Sequence, residues 1–393
     1  MGTRQPHDNP RPSSLIPASS PASRAQTLLV VQNDAVVKTK KTIVIFGLTV
    51  SSSWGNGHAT LWRGLLRSLA AMGHEVTFFE RDVPYYARTR DLHHGVGYEL
   101  VLYRDWSEVL PTAIAALADA DVGIVTSYCP DALAASELLL GSKHLLRVFY
   151  DLDTPVTLER LERGEPVDYL PPHGLGDFDL VLSFTGGRSL DELQRRLGAR
   201  RTKPLYGSVD PSLHAPVEPL PYYQADLSYL GTYAADRQEA VERLLVGAAR
   251  HLPAKRFVVG GSMYPRDFPW TDNIWFLEHV PPPDHPAFYS SSKLTLNVTR
   301  AAMAKMGHCP SGRLFEAAAC GTPILSDSWD GLDEFFVPSN EILIAGTTGE
   351  AIDAISRSPD ELARIGAAAR ARVLRDHTSE RRAEEMLQYF ADA

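Results

Sequence analysis

Apolar and polar residues alternate along the chain in two different patterns. Short runs rich in β-branched and aromatic residues, the first of them "KTIVIFGL" from Lys41, are separated by longer stretches with the apolar spacing of a helix. This alternation predicts parallel sheets with crossover helices. The predicted strands are residues 42–46, 75–79, 121–126, 145–150 and 179–183 in a first series, and residues 226–230, 256–259, 274–277, 294–298, 323–326 and 342–345 in a second.

The two series lie on either side of the Pro-rich stretch "DPSLHAPVEPLPYY". We therefore predict an α/β protein with two Rossmann-like, doubly wound domains, residues 41–212 and 223–375, and a closing helix over 376–393. Residues 1–40 are rich in Pro, Ser and Ala, which predicts a disordered leader. Ligands of doubly wound sheets bind outside the carboxyl ends of the strands, so we expect the chemistry in a cleft between the domains.

Composition narrows the classes of partner and compartment. The chain has 393 residues, 44% of them hydrophobic, and a formal charge of -9 without a long basic run, so nucleic acid is not a predicted partner. Cys129, Cys309 and Cys320 lack metal-ligand or disulfide spacing, which favours a reducing compartment and predicts no zinc site. No apolar stretch reaches the length of a membrane span and no secretory signal is recognisable, so the expected location is the cytoplasm.

The stretch "PSGRLFEAAACGTPILSD", residues 310–327, predicts a short helix with a polar edge. Arg313 and Glu316 are three positions apart and share a face. Gly321 suits a left-handed C-terminal cap, and Pro323 cannot continue the helix. The Glu316 carboxylate could accept hydrogen bonds from both vicinal hydroxyls of a ribose, with Arg313 near a phosphate. The alternative is a surface Arg–Glu pair.

A second helix start follows the strand in "LSYLGTYAADRQ". There Gly231, Thr232 and Arg237 could hold an anion at the helix-terminal amides. Two such helix starts in one domain could converge on a diphosphate. The alternative for Arg237 is a solvated side chain.

Two residues of the first domain are candidates for proton transfer. His58 ends the glycine-containing loop "GLTVSSSWGNGH", which matches neither the dinucleotide fingerprint nor the ATP phosphate loop. Asp153, in "YDLDTP", lies just beyond a predicted strand and is a better candidate for a general base than Asp151. The alternatives are a structural or exposed histidine and an Asp that caps the next helix.

Two segments resemble a known family. "SGRLFEAAACGTPILSDSWDGLDEFF" is similar to the nucleotide-sugar-binding signature of GT-B glycosyltransferases, in particular the CgeB-like (spore-maturation-protein-type) group. "SSWGNGHATLWRGLLRSLAAMGHEVTFFERD" resembles the N-terminal domain of the same group. The resemblance covers roughly residues 42–390. It implies GT-B architecture, with a nucleotide-sugar donor held by the C-terminal domain and an acceptor held by the N-terminal one.

The resemblance implies a role for individual positions. Glu316 matches the ribose-binding Glu, and the amides of Ser311, Gly312 and Leu332 would lie near the donor. His308 departs from the pattern, since retaining GT-B members carry a Glu at that position, so we do not infer retention. The donor-binding residues predicted in this way are Gly231, Thr232, Arg237, His308, Ser311, Gly312, Arg313, Glu316, Gly331 and Leu332.

The resulting hypothesis is glycosyl transfer from a nucleoside-diphosphate sugar to a hydroxyl of a small-molecule or glycan acceptor. No further cofactor and no obligatory metal are expected. His58 or Asp153 would take the acceptor proton in an inverting reaction, and the leaving diphosphate could do so in a retaining one. Alternatives are a nucleotide-sugar 2-epimerase and a catalytically silent binding subunit; an NAD-dependent dehydrogenase is disfavoured. The sequence leaves the sugar and nucleobase open and is compatible with a homodimer.

Overall fold

Seven parallel strands form the first sheet of the computed structural model, which describes residues 40–393. Their order is β3-β2-β1-β4-β5-β6-β7. The strands are β1 (Thr42–Gly47), β2 (Glu75–Arg81), β3 (Glu99–Tyr103), β4 (Val122–Thr126), β5 (Leu146–Asp151), β6 (Leu180–Ser183) and β7 (Thr202–Pro204). The order changes direction between β1 and β4, which makes this the switch point of a doubly wound sheet.

Helices cover both faces of the first sheet. In β1, Ile43 and Ile45 belong to one buried core, and Val44 and Phe46 belong to the other, as the two-residue period of a strand requires. After Thr42 the strand is apolar because both of its faces are covered. The helices are α1 (His58–Ala71), α2 (Pro84–Ala87), α3 (Trp106–Ala118), α4 (Ala132–Gly141), α5 (Thr154–Glu162) and α6 (Arg188–Leu197).

Six parallel strands form the second sheet, in the order β10-β9-β8-β11-β12-β13. They are β8 (Leu227–Leu230), β9 (Phe257–Gly260), β10 (Ile274–Leu277), β11 (Thr295–Asn297), β12 (Ile324–Ser326) and β13 (Leu343–Ile344). The switch point of this sheet lies between β8 and β11. Its helices are α7 (Gln238–Val241), α8 (Gly247–His251), α9 (His285–Ser290), α10 (Ala301–Met306), α11 (Gly312–Ala319), α12 (Leu332–Phe335), α13 (Thr348–Ile355) and α14 (Pro359–Asp376).

The last helix, α15 (Ser379–Asp392), returns to the first sheet. Ala383, Met386 and Phe390 join the core beneath α1. Where the chain returns, the Val209 amide donates to the His377 carbonyl at 3.0 Å, and the Ser379 amide donates to the Val209 carbonyl at 2.7 Å. The two chain crossings between the halves therefore lie side by side.

The predicted strands are all present, with bounds that differ by a residue or two. Two strands, β3 and β7, were not predicted. Gly321 has φ of 75°, and the amides of Gly321 and Thr322 donate to the carbonyls of Ala318 and Ala317, so the predicted C-terminal cap of α11 is a Schellman motif. The predicted leader, apart from Lys40, lies outside the described residues. Within residues 40–393 no helix is long and apolar enough to cross a membrane.

Candidate active site

A cleft of about 570 Å³ lies between the carboxyl ends of the two sheets. Its walls include the loops that follow β1 and β4 in the first sheet, and β8 and β11 in the second, so both switch points open into it. Ligands of doubly wound folds bind at such points. The predicted site residues that line it are His58, Asp153, Gly231, Thr232, Arg237, Ser311, Gly312, Arg313 and Glu316.

A buried carboxylate shapes the loop at the first switch point. Glu80, at 0% exposure, accepts hydrogen bonds from the amides of Val50 and Ser51 at 2.8 and 3.0 Å. Its other oxygen accepts from the Thr49 hydroxyl at 2.6 Å. Glu80 therefore holds the first residues of the loop between β1 and α1 in place. The later residues, including His58, face the cleft.

Glu316 lies on α11 with only 7% of its surface exposed. Its Oε1 accepts a hydrogen bond of 3.2 Å from Thr60 Oγ1 on α1, so this carboxylate contacts both halves of the molecule. Burial acts to raise the pKa of Glu316, but the neighbouring His214 and His285 and the Thr60 hydroxyl outweigh it and lower that pKa to about 2. The carboxylate is therefore ionised at neutral pH and able to accept further hydrogen bonds.

Two arginines meet at the ring of Tyr229 in β8. The guanidinium carbons of Arg313 and Arg237 lie 5.3 and 6.0 Å from the ring centroid. Among the described residues, neither guanidinium forms an ion pair with a carboxylate within 4.0 Å. Their hydrogen bonds go to neutral oxygens, from Arg313 to Leu230 and Asn297, and from Arg237 to Thr232.

Uncompensated charge accumulates at this point of the cleft. Burial lowers the pKa of Arg237, and the nearby positive charge of Arg313 also acts to lower it. Two guanidinium groups without a carboxylate partner favour the binding of an anion with several oxygens. A diphosphate is such an anion.

The first turn of α11 adds main-chain donors. The amides of a first helical turn lack an acceptor within the helix. Ser311, at the N-cap, donates its hydroxyl to Asn297 Oδ1 at 2.9 Å, and Arg313 Nη1 donates to the same oxygen at 3.1 Å. The Asn297 amide in turn donates to Ser326 Oγ at 2.9 Å. Asn297 therefore holds both the N-terminus of α11 and the Arg313 side chain.

The two candidates for proton transfer face each other. His58 Nε2 lies 3.7 Å from Asp153 Oδ1, and both side chains border the cleft. Asp153 occupies the N-cap position of α5, but its side chain makes no capping hydrogen bond. The Asp153 carboxylate instead interacts with the Tyr128 hydroxyl and His58 at the border of the cleft, where a ligand can also reach it.

Asp151 has a different environment. It is fully buried and accepts hydrogen bonds from Thr157 Oγ1 at 3.1 Å and from the Asp153 amide at 3.2 Å. Burial raises the pKa of Asp151 to about 6 despite these bonds. Asp151 holds the loop that presents Asp153 and does not itself reach the cleft.

His308 lies away from the cleft lining, contrary to the sequence prediction. Gly307 and His308 have φ of 73° and 47°, and this turn directs the ring towards Glu334, whose Oε2 lies 3.2 Å from Nδ1. A Cβ atom at Gly187 or Gly331 would lie 2.4 or 2.5 Å from the imidazole, so both glycines make room for it. His308 therefore packs at the contact between the two halves.

Gly331 and Leu332 are also absent from the cleft lining. Gly331 is the N-cap of α12 with φ of 84°. The Leu332 amide donates to the Trp329 carbonyl at 3.3 Å, which occupies the donor that was expected to face the diphosphate. Both residues shape α12 and its packing in this structure.

Several residues of the site were not predicted. Tyr229 is the last residue but one of β8, and Asn297 is the last residue of β11, both beside a switch point. Their positions in the strand pattern were the signal that could have indicated them. Thr60, His214 and His285 have no local motif, because their role at Glu316 depends on contacts between segments far apart in the chain.

Comparison with known proteins agrees with this architecture. Residues 237–388 match a family model described as glycosyl transferase-like. A search of curated protein sequences gives no match. Sucrose-phosphate synthase from Thermosynechococcus elongatus superposes with a TM-score of 0.66 at 16% identity, over 90% of this chain and 99% of that chain. The chain has the GT-B fold.

Two further GT-B structures contain nucleotides. Anabaena HepE, in a complex with UDP and glucose, has a TM-score of 0.64 at 12% identity over 90% of this chain and 100% of its own. An alpha-glucosyltransferase in a complex with UDP-glucose and DNA containing an abasic site has a TM-score of 0.67 at 15% identity, with the same coverage of 90% and 100%. At these identities the likeness concerns the fold alone.

Proposed function

We propose that this protein is a glycosyltransferase that moves a sugar from a nucleoside-diphosphate sugar to an acceptor hydroxyl. The observation that carries the proposal is the combination of two arginines that have no carboxylate partner within residues 40–393 and an ionised, buried Glu316 on one wall of one cleft. A nucleoside diphosphate offers the complementary groups, namely a charged diphosphate and a ribose with two vicinal hydroxyls. The "EAAACG" helix supports assignment to the CgeB-like group.

In this proposal the second half of the molecule binds the donor. The ribose hydroxyls donate to Glu316, one of them in place of Thr60. Arg313, Arg237 and the first amides of α11 bind the diphosphate. When the glycosidic bond to the diphosphate breaks, negative charge develops on the leaving oxygen, and these fixed donors stabilise it there. The reaction then needs no obligatory metal ion.

The first half of the molecule binds the acceptor beside His58 and Asp153. In an inverting reaction the acceptor hydroxyl gives its proton to this pair, Asp153 acting directly or through His58. In a retaining reaction the leaving diphosphate takes the proton. A sugar or small-molecule acceptor fits the net charge of -9 better than nucleic acid does. The three cysteines in the described part of the chain are all free, which supports a reducing compartment such as the cytoplasm.

Nucleotide binding to wild type and to Glu316→Gln tests the donor site. Thermal unfolding is followed with UDP, GDP, dTDP, ADP, CMP and NAD, with UDP first because two of the similar structures contain it. A ligand at a hundredfold excess over its Kd stabilises the folded state by about 2.7 kcal/mol. One nucleoside diphosphate should stabilise wild type but not Glu316→Gln.

The matched control is Glu334→Gln, which makes the same change at a residue outside the cleft lining. It should respond like wild type. If no nucleoside diphosphate binds, or if Glu316→Gln responds as wild type does, the donor site is wrong. Binding without turnover of any donor sugar would instead favour a silent binding subunit, and turnover without an acceptor would favour an epimerase.

A further inference from the structure

Two histidines approach the Glu316 carboxylate. His214 Nε2 lies 3.9 Å from Oε1, and His285 Nδ1 lies 3.6 Å from Oε2. A ring nitrogen of each histidine and a carboxylate oxygen of Glu316 lie within 4.8 Å of one another. His214 is only 5% exposed. The proposed function assigns a role to the carboxylate but none to the two imidazoles.

The hydrogen bonds of His285 determine what its ring presents to Glu316. Its Nε2 lies 3.2 Å from the Val280 carbonyl oxygen, which can only accept, so Nε2 carries the hydrogen. In the neutral ring Nδ1 then directs a lone pair at a carboxylate oxygen. Two electron-rich atoms at this separation repel each other unless a cation, either a proton on Nδ1 or a metal ion, lies between them.

The ring nitrogens of His214 also lack hydrogen-bond partners within the described residues. Both of its ring nitrogens, and Nδ1 of His285, are buried without a hydrogen-bond partner in the part of the chain that the structure describes. Buried polar atoms without partners are uncommon in folded proteins and call for a ligand.

We propose that His214, His285 and Glu316 form a binding site for a divalent transition metal ion such as Zn²⁺. Two imidazoles and one carboxylate are ligands that suit Zn²⁺ and its neighbours in the first transition row, in contrast to the all-oxygen sites of Mg²⁺ and Ca²⁺. The bond from His285 Nε2 to a main-chain carbonyl is the outer contact that orients a metal-binding histidine. Water would complete the coordination on the open side.

The separations of the donor atoms show how far the three side chains would have to move to bind an ion. Metal–ligand bonds of about 2.0–2.1 Å in tetrahedral geometry separate the donor atoms by about 3.4 Å. The three donor atoms lie within 4.8 Å of one another, so the longest side of this triangle would have to contract by up to about 1.4 Å when an ion binds. His285 and Glu316 line the cleft, which gives the ion a path to the site.

The location of the site suggests an inhibitory ion. His214 belongs to the segment that connects the two halves, and His285 and Glu316 belong to the second half, so the ion would tie this connection to the donor-binding wall. It would also occupy the carboxylate that the proposed function assigns to the donor ribose. The ion and the nucleotide should therefore compete, and this consequence alone rests on the proposed function.

Zinc titration of the tag-free full-length protein tests the site. Calorimetry should show one Zn²⁺ bound per wild-type chain. His214→Gln and His285→Gln should each bind it at least tenfold more weakly, since loss of an outer-shell contact alone costs roughly 10–100-fold. His279→Gln is the control, because His279 also lines the cleft but packs on Trp54 and not on Glu316. Equal zinc binding by all four proteins, or none by wild type, would overturn the inference.

A second measurement does not depend on the folding of the variants. Co²⁺ added to wild type should give the visible absorption of a low-coordinate nitrogen and oxygen site, and one equivalent of Zn²⁺ should abolish it. A spectrum that remains that of hydrated Co²⁺ would contradict the site.

Competition with UDP separates this inference from the proposed function. Zn²⁺ should raise the apparent Kd of UDP at least tenfold in wild type and much less in His214→Gln. Zinc binding without any nucleotide binding would overturn the function and leave the metal site standing. Nucleotide binding without zinc binding would overturn the metal site and leave the proposed function standing. Binding of both ligands without competition would overturn the inhibitory role of the ion.

Discussion

At the scale of single residues, buried charge decides the properties of both walls of the cleft. Asp151 supports the loop that carries Asp153, and Arg237 lies beside Arg313 without a carboxylate partner in the part of the chain that the structure describes. Each is held in an environment that opposes its charge. A buried group whose charge is opposed in this way lowers the free energy of unfolding. Replacing it by a neutral residue should therefore raise that free energy.

Asp151→Asn should change how stability depends on pH. The ordinary pKa of 3.8 rises to about 6 in the folded protein, because burial opposes the charged form. Below about pH 4 this carboxyl is protonated in both the folded and the unfolded state and does not lower the free energy of unfolding. As the pH rises from 4 through 6 the unfolded state ionises first, so the free energy of unfolding falls, by about 3 kcal/mol at pH 7. Asparagine cannot ionise, so the variant should gain about that much relative to wild type between pH 4 and 7.

Urea unfolding of both proteins at several pH values measures this difference, in which the other titrating groups cancel. If the difference in the free energy of unfolding between the two proteins stayed constant from pH 4 to 7, burial would not suppress the ionisation of Asp151.

Arg237→Met should separate binding from stability. A hydrogen bond to a charged group contributes about 1.5–3 kcal/mol, so UDP affinity should fall roughly 10- to 100-fold. The free energy of unfolding without nucleotide should stay the same or rise by up to about 2 kcal/mol, because a buried and unpaired charge is removed. Calorimetry with UDP and urea unfolding give the two quantities.

Arg300→Met is the control for this prediction. Arg300 also lines the cleft, but its charge is paired with Asp236 at 3.1 Å, so its loss should affect UDP binding less. A loss of more than about 1 kcal/mol of stability in Arg237→Met would indicate that Arg237 is a structural residue.

At the scale of elements, α11 shows how a short helix presents a site. Its N-terminus is held by Asn297, its polar edge carries Arg313 and Glu316, and its C-terminus ends in the left-handed residue Gly321. The helix has only eight residues, so its ends contribute a large share of its hydrogen bonds.

Gly321→Ala should cost about 1–2 kcal/mol of stability. A Cβ atom there would meet nothing closer than 3.8 Å, so the cost comes from φ of 75° alone. Gly141→Ala is the control, since that glycine ends α4 without a positive φ and has open space around it. It should be neutral or stabilising by up to about 1 kcal/mol. Equal changes in the free energy of unfolding for Gly321→Ala and Gly141→Ala, measured by thermal unfolding, would contradict this prediction.

The fold could be predicted from the sequence where strands are buried on both faces. β1 and β4 have no polar residue except one Thr at an end of each strand, because helices cover both sides of the sheet. β3 was missed because it is an edge strand, starts with a charged residue and follows a loop rich in His and Gly. β7 has three residues, of which one is Lys and one Pro, and such an edge strand carries little hydrophobic signal.

The site could be predicted only where its residues share a local motif. Glu316 and Arg313 lie on one helix, and the family resemblance indicated both. His214 and His285 belong to different segments, and the sequence gives no reason to join them. The turn at His308 depends on its packing against Gly187, a residue of the other half, so the sequence alone could not predict that the ring faces away from the cleft.

At the scale of the whole molecule, polar and aromatic side chains are among the contacts that join the two halves. Thr60 donates to Glu316, the Gly186 amide donates to the His308 carbonyl at 3.0 Å, and the ring of Trp54 lies 4.7 Å from that of His279. A ribose that binds Glu316 would replace the first of these contacts. Donor binding and the contact between the halves are therefore linked through one carboxylate.

The final helix ties the stability of the first half to the end of the chain. Met386 on α15 is fully buried in the core beneath α1, although the whole second half separates the two helices in sequence. Met386→Ala should cost about 2–5 kcal/mol, because it removes buried apolar volume from a packed core. Gln388→Ala, an exposed change on the same helix, should cost much less.

Hydrogen exchange shows where that stability is lost. In Met386→Ala the amides of β1 and β2 should exchange faster, while those of β8 and β9 should keep the wild-type rate, because their core is separate. UDP binding should persist if the second half holds the donor, as we propose. Faster exchange in both sheets would mean that the two halves unfold as one cooperative unit, and α15 would then stabilise the whole cleft and not one wall of it.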